Sequence, residues 1–175
     1  MKGLSLLLGL IFGIIMAAIL ICIIMKKITT DKSLKAKYDE RQEVVRGRAY
    51  KYGFLTMCIL NILVAFMGKP LSKYLEYGVL VFISVCISLL VFAGYCIFNE
   101  AYIGINEKPV RSIILLFAIG VLNIWLGVMN YVLQRGVTEK RLLKVENVNL
   151  IAGVLIIVIV IMMIVKQLIN KKRLG

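Results

Sequence analysis

The chain of 175 residues is 61% hydrophobic, has a mean hydropathy of +0.94 and carries a formal charge of +13. Globular proteins are about 45–50% apolar, so this composition excludes an ordinary soluble domain and predicts a protein whose solvent is lipid. Five spanning helices of about 20 residues each would leave no room for a soluble catalytic domain. Any functional site must then lie in the helix bundle or on its loops.

Five apolar runs, each nearly free of charge, predict an all-α, polytopic transmembrane bundle that forms a single transmembrane domain over residues 1–175. The second run is short for a bilayer core of about 30 Å, and it reaches full length only if Asp39 to Met67 forms one long helix. The first run is too long for the apolar core of a signal peptide, and no Ala-x-Ala site follows it. The predicted spans are residues 4–25, 53–68, 78–98, 113–133 and 150–168.

The first predicted span carries small residues at four-residue spacing, namely Gly9, Gly13 and Ala17. Such a face lets helix backbones approach closely in lipid, where hydrophobicity does not drive helices together. The face predicts helix packing, either within one chain or against a second subunit.

The orientation follows from the distribution of Lys and Arg. Fifteen of these residues fall on the side that holds residues 26–52, the pair Lys108 and Arg111, and the tail from Lys166, and seven fall on the other side. The positive-inside rule then places the C-terminus in the cytoplasm and the N-terminus outside. The sidedness of the loop at 134–149 stays open, because four basic residues are many for an external loop.

The cytoplasmic basic juxtamembrane segment, residues 26–52, is the one long hydrophilic stretch. Apolar residues recur in its second half at helical spacing, which predicts a helix that leads into the second span. Its basic side chains are expected near anionic lipid head groups. Glu100 and Glu107, in the later loop, are expected to face this segment. They either form salt bridges to Arg46 or Arg48 or belong to a solvated loop without such bridges. The candidate interaction residues are Asp39, Glu40, Arg41, Arg46, Arg48 and Glu100.

No predicted span contains an ionisable residue in its interior, and the chain has no His. Ionisable residues inside the membrane are the usual mark of proton relays, and His is the commonest metal ligand. The sequence therefore predicts no enzyme, with no catalytic, cofactor-binding or metal site. Nucleic acid is not expected as a partner, because the basic residues lie between apolar runs rather than on one patch. A minor alternative is an enzyme with carboxylates Asp39, Glu40 and Glu100 around a metal or a lipid-derived substrate.

Small and amide residues recur on one face of the fourth predicted span, which must point into protein or into a water-filled cavity. Polar residues of the second and third spans are natural partners for this face. Two interpretations stay open: helix packing through hydrogen bonds, or a polar lining for a small solute. The residues of the fourth span are Gly120, Asn123, Gly127 and Asn130, and their possible partners are Asn61 on the second span and Ser84 and Ser88 on the third.

The letters DERQ at 39–42, followed by RGRAYKY at 46–52 and then a hydrophobic span, carry a resemblance. The pattern resembles small multi-pass membrane proteins of unknown function from low-GC Gram-positive bacteria. The connection at 99–109 is similar as well. The resemblance implies a bacterial plasma membrane and brings no established activity or site residues.

Taken together, these features predict a non-enzymatic, multi-pass protein of the bacterial plasma membrane. Its expected role is that of an accessory, regulatory or assembly partner of a membrane complex. The expected partners are the bilayer with its anionic lipids and another membrane protein or a second copy of the chain. The alternative is a small permease or channel with a path lined by Asn and Ser.

Overall fold

The computed structural model describes residues 36–71, 74–133 and 147–174, together with Ile19, Ile23 and Lys26. The small-residue face of Gly9, Gly13 and Ala17 and most of the predicted loop at 134–149 lie outside these residues. Over the described ranges the protein is all-α, with four long helices and no strand. The helices are α1, Glu40–Leu71; α2, Tyr77–Phe98; α3, Pro109–Leu133; and α4, Val148–Leu174.

Each of these four helices is long and apolar enough to cross a membrane. They coincide with the second to fifth predicted spans, whereas the first predicted span lies largely outside the described residues. The structure therefore supports a membrane-embedded helical protein with four candidate spans. The five-span count and the orientation remain predictions.

The expectation of one continuous helix through the second span is confirmed by α1. This helix has 32 residues, which corresponds to about 48 Å at 1.5 Å per residue. Its first turn contains the acidic residues Glu40 and Glu43, and its last turn contains the basic residue Lys69. Both placements interact favourably with the helix dipole, which is positive at the N-terminus and negative at the C-terminus. Because a bilayer core is about 30 Å thick, α1 extends well beyond it.

The chain forms two compact units. One unit consists of residues 1–39 and 103–112, and the other of residues 40–102 and 113–175. Besides Ile19, Ile23 and Lys26, the described part of the first unit is the short segment at 36–39 and the turn that precedes and begins α3. The second unit contains α1, α2, the rest of α3, and α4.

Helices α1 and α2 form an antiparallel pair joined by the short connection after Leu71. Tyr50 stacks near Phe92 with ring centroids 4.6 Å apart, and Tyr52 lies near Tyr95 at 5.1 Å. The Ser88 hydroxyl donates a buried hydrogen bond of 2.6 Å to the carbonyl of Gly53. In the most apolar 18-residue stretch of α2, 39% of the residues are buried, whereas in that of α1 only 6% are buried. The central helix of this unit is therefore α2.

Helices α3 and α4 meet along a line of glycines. A Cβ atom at Gly127 would lie 2.6 Å from the backbone nitrogen of Leu150, and one at Gly153 would lie 2.7 Å from that of Ile124. Real Cβ atoms essentially never come this close to another heavy atom, so the two backbones approach as closely as glycine permits. Gly120 faces the same helix, beside Ile156 and Ile157. The small residues predicted on the fourth span thus pack against α4.

Candidate functional site

The end of α2 is closed by a Schellman motif that has glutamate where glycine is usual. The amide of Glu100 donates to the carbonyl of Ile97 at 3.2 Å, and the amide of Ala101 donates to Cys96 at 2.8 Å. Glu100 has a φ of 61°, the left-handed region that disfavours side chains with a Cβ atom. Ala101 is fully buried. The backbone carbonyls of residues 99–101, at this end of α2, accept hydrogen bonds from side chains of another helix.

Three side chains from the first turns of α1 bind those carbonyls. Nη2 of Arg41 donates to Asn99 at 3.4 Å and Nε2 of Gln42 donates to Glu100 at 3.0 Å. Nη1 of Arg46 donates to Ala101 at 3.3 Å. Asn99 is the C-cap of α2, and carbonyls at and just beyond a helix end have no partner within the helix, so they accept hydrogen bonds from neighbouring side chains. We call this arrangement the carbonyl clamp.

The carboxylate of Glu100 binds the last turns of α4. Its Oε1 atom lies 3.2 Å from Nζ of Lys166 and accepts a hydrogen bond of 2.9 Å from Nδ2 of Asn170. The side chain of Lys166 is 11% exposed, whereas that of Glu100 is 45% exposed. The bonds from Lys166 and Asn170 lower the pKa of Glu100 below its ordinary value. Glu100 therefore supplies the countercharge for a nearly buried ammonium group.

Tyr102 extends the contact with α4. Burial raises the pKa of its hydroxyl, and a hydrogen bond with Gln167 partly opposes this effect. The end of α2 thus contacts α1 through backbone carbonyls and α4 through side chains. The start of α1, the end of α2 and the last turns of α4 lie at the same end of the bundle.

Three of the predicted interaction residues, Arg41, Arg46 and Glu100, lie together in this site. Arg48 and Glu40 are exposed on α1. The expected bridge from Glu100 to Arg46 or Arg48 is not the contact found: the carboxylate of Glu100 binds Lys166, and Arg46 binds a carbonyl. Asp39 belongs to the other unit.

Sequence reasoning missed Gln42, Lys166 and Asn170. Lys166 was assigned to the cytoplasmic tail, although it lies inside α4, which continues to Leu174. A usable signal was present, because Lys166 and Asn170 are spaced at i, i+4 and therefore share one helix face.

A second polar arrangement lies in the other unit, at the turn before α3. The backbone amide of Lys37 donates to Oδ1 of Asn106 at 2.7 Å, and the amide of Ile105 donates to the carbonyl of Lys37 at 2.8 Å. Glu107 accepts a bond of 2.9 Å from the amide of Gly104. A Cβ atom at Gly104 would lie 2.8 Å from the carbonyl of Lys37, so this position requires glycine.

Replacing Asn106 by alanine should loosen this turn. Asn106 is only 6% exposed, and its loss removes the acceptor of the Lys37 amide. A net hydrogen bond contributes about 1 kcal/mol, so protection of that amide against hydrogen exchange should fall about fivefold. The matched control is Ser112→Ala, whose hydroxyl makes a long, exposed bond of 3.4 Å within its own turn. Equal exchange at Lys37 in both variants would contradict the prediction.

The polar residues predicted within the spans are engaged with backbone carbonyls. Asn61 donates to Met57 at 2.8 Å and Ser84 donates to Val81 at 2.7 Å. Asn123 donates to Ile119 at 2.9 Å. Together with Ser88, these residues place their donors on the protein backbone, and Asn130 also has a partner.

The polar contacts found at these sites join helix ends and turns to neighbouring side chains. Across the described residues, no group of three or more His, Cys, Asp or Glu side chains is arranged to hold a metal ion. The pairs found are a cation with a carboxylate and donors with carbonyls, which are contacts that fix helix ends. Comparisons with protein-family models, with curated proteins and with solved structures found no match.

Proposed function

We propose that this chain is a non-catalytic membrane protein that acts as an accessory, regulatory or assembly partner of a membrane complex. The contact surface in this proposal is the polar segment of α1, defined as residues 40–52. One observation carries the proposal: the carbonyl clamp holds this segment against α2 while Glu40, Glu43 and Arg48 remain exposed.

The clamp matters for binding because it orders the segment in advance. A partner that binds a flexible segment must offset the loss of its conformational freedom, whereas a segment already ordered avoids most of that cost. The exposed charges of both signs then provide orientation and specificity. Val44, which is 57% exposed, adds an apolar contact between Glu43 and Arg48 along the chain.

The same proposal includes the membrane placement. The end of the bundle that carries the clamp also carries Arg41, Arg46, Arg48 and Lys166, and the positive-inside rule favours the cytoplasm for such an end. The N-terminal run at 4–25, the first predicted span in chain order, would bring the number of spans to five, and it would begin outside the cell. The resemblance in the juxtamembrane motif supports a bacterial plasma membrane as the location.

The geometry gives less support to a permease or channel. Asn61, Ser84 and Asn123 each donate a hydrogen bond to a carbonyl of their own helix, which is how polar side chains are accommodated within a packed bundle. The cleft beside Ser84 is otherwise lined by aliphatic side chains, including Leu60, Val64 and Ile83, and by Met67. Packing is therefore the role that these contacts favour.

Photocrosslinking in native membranes tests the proposed contact surface. With p-benzoylphenylalanine at Val44, we expect a discrete protein adduct of the full-length chain, and we expect Glu43→Lys to reduce its yield. The control places the same group at Phe66, which is 81% exposed on nearly the same face of α1 and about 33 Å further along the helix. An adduct of twice the chain mass would identify a second copy as the partner.

Two results would contradict the proposal. One is the absence of a protein adduct from Val44. The other is the same set of adducts from Val44 and Phe66, because crowding in the membrane would then explain both.

A further inference from the structure

A groove runs between α1 and α2 on the surface of the bundle, next to the carbonyl clamp. Its volume is about 640 Å³, within the range of about 300–1,000 Å³ that is typical of ligand sites. Leu55 and Ile59 of α1 and Leu90 of α2 form an apolar floor. Tyr52, Tyr95 and Asn99 line the end that lies nearer the start of α1. The groove is thus apolar along its length and polar at one end.

Two arginines stand beyond the polar end on the same face of α1. Positions 41, 48, 52, 55 and 59 are spaced at seven, four, three and four residues, which places them on one helical face. Both Arg41 and Arg48 are exposed. Arg48 precedes Tyr52 by about one turn, roughly 6 Å along the axis. Arg41 also reaches Asn99, a lining residue of the groove.

We propose that the groove binds an acyl chain of an anionic phospholipid and that Arg48, together with Arg41, binds the phosphate of its head group. The ligand class follows from the order of chemistry along α1: cationic groups, then tyrosines, then aliphatic side chains. This is the order of head group, interface and acyl chain in a leaflet. The inference does not depend on the proposed function.

The dimensions favour a lipid over a partner helix. From Tyr52 to Ile59 the groove covers about 10 Å of α1 at 1.5 Å per residue, whereas a helix that crosses the bilayer offers about 30 Å of apolar surface. A single chain that enters from the interface fits the shorter length. The charge beyond the polar end selects anionic over zwitterionic head groups.

Native mass spectrometry of the full-length protein in a neutral detergent tests the head-group part. Phosphatidylglycerol and phosphatidylcholine with the same acyl chains serve as probes, and we expect tighter binding of phosphatidylglycerol. Arg48→Gln should weaken that binding about fivefold, as expected for one basic residue near a lipid surface, and Arg48→Lys should restore most of it. The control is Lys51→Gln, which lies about 4.5 Å further along the axis and roughly 60° around the helix from Arg48 and does not line the groove. Equal losses from Arg48→Gln and Lys51→Gln would overturn the proposal, because general surface charge would then explain both.

A second pair of variants tests the acyl-chain part. Thr56→Trp adds bulk inside the groove, and Met57→Trp adds the same bulk on nearly the opposite face of α1. We expect phosphatidylglycerol binding to fall in Thr56→Trp and to stay unchanged in Met57→Trp, with both variants monodisperse. Glycerol phosphate at the same concentration should not compete if the groove supplies affinity. Unchanged binding in Thr56→Trp, or full competition by glycerol phosphate, would overturn the assignment of the groove.

Discussion

Gly127→Val should destabilise the bundle by about 3 kcal/mol, the upper end of the range of about 1–3 kcal/mol that overpacking typically costs. Here the neighbour is backbone. A Cβ atom at this position would lie 2.6 Å from the nitrogen and 2.8 Å from the Cα atom of Leu150. Helices α3 and α4 would have to separate, and the contacts of Gly120 and Gly153 would be lost with them.

Equilibrium unfolding of the purified protein in mixed micelles, with SDS as the denaturant, measures this effect. The matched control is Gly47→Ala. Gly47 lies inside α1 with no atom within 4 Å of an added Cβ, so its replacement should stabilise the helix by about 0.5–1 kcal/mol. A Gly127→Val protein as stable as the parent would show that α3 and α4 do not meet at this glycine.

Glu100→Gln should destabilise the protein by about 1–2 kcal/mol, since it leaves the nearly buried ammonium of Lys166 without a countercharge. The range is below that for a fully buried pair because the side chain of Glu100 is 45% exposed and water screens it. Lys166→Met removes the same pair but leaves no buried charge, so we expect a smaller loss. The same unfolding measurement applies, and equal losses in the two variants would contradict this account.

Comparing Glu100→Gly with Glu100→Gln distinguishes the contribution of the ion pair to stability from the cost of the left-handed backbone conformation at residue 100. Glycine accepts a φ of 61° without steric cost, so the variant loses the pair yet gains about 1 kcal/mol relative to Glu100→Gln. We therefore expect its stability to lie between that of Glu100→Gln and that of the parent. A Glu100→Gly protein less stable than Glu100→Gln would show that the left-handed conformation carries no cost here.

The ion pair between Glu100 and Lys166 also makes the free energy of unfolding depend on pH. The pKa of Glu100 in the folded protein lies below its ordinary value of 4.5, because the folded state favours the carboxylate. The unfolded chain then binds more protons than the folded chain as the pH falls through this interval. The stabilisation is complete above the ordinary pKa and is lost as the pH falls through the lower, folded value. Unfolding of the parent should show this loss below about pH 4.5 and unfolding of Glu100→Gln should not.

The sequence was sufficient to predict the helices whose signals are an apolar composition and the helical spacing of apolar residues. The apolar runs located the four described helices, and the helical spacing of apolar residues in the second half of the segment at 26–52 predicted correctly that α1 begins before its apolar part. These are local signals, since each depends on residues within a few turns of one another. The small-residue face of the fourth span is local in the same sense, although its partner helix had to come from the structure.

The polar contacts could not be predicted because they depend on which helices are neighbours. Glu100 and Lys166 are 66 positions apart in the chain, and no spacing rule connects residues on different helices. The predicted pairing of Glu100 with Arg46 or Arg48 was based on opposite charge alone. In the structure, Arg41 and Arg46 donate hydrogen bonds to backbone carbonyls at the end of α2 instead. The groove between α1 and α2 likewise exists only once the two helices are paired.

The two kinds of contact at the end of α2 imply an order of assembly in the membrane. Every donor of the carbonyl clamp precedes its acceptor in the chain, and all of them are present once residue 101 has been synthesised. The α1 and α2 hairpin can therefore close early, before α4 exists. The carboxylate of Glu100 then remains open to water until Lys166 and Asn170 arrive from the last helix. Docking of α4 would be the step that completes the bundle, and a chain truncated before residue 166 would keep the hairpin but leave Glu100 accessible.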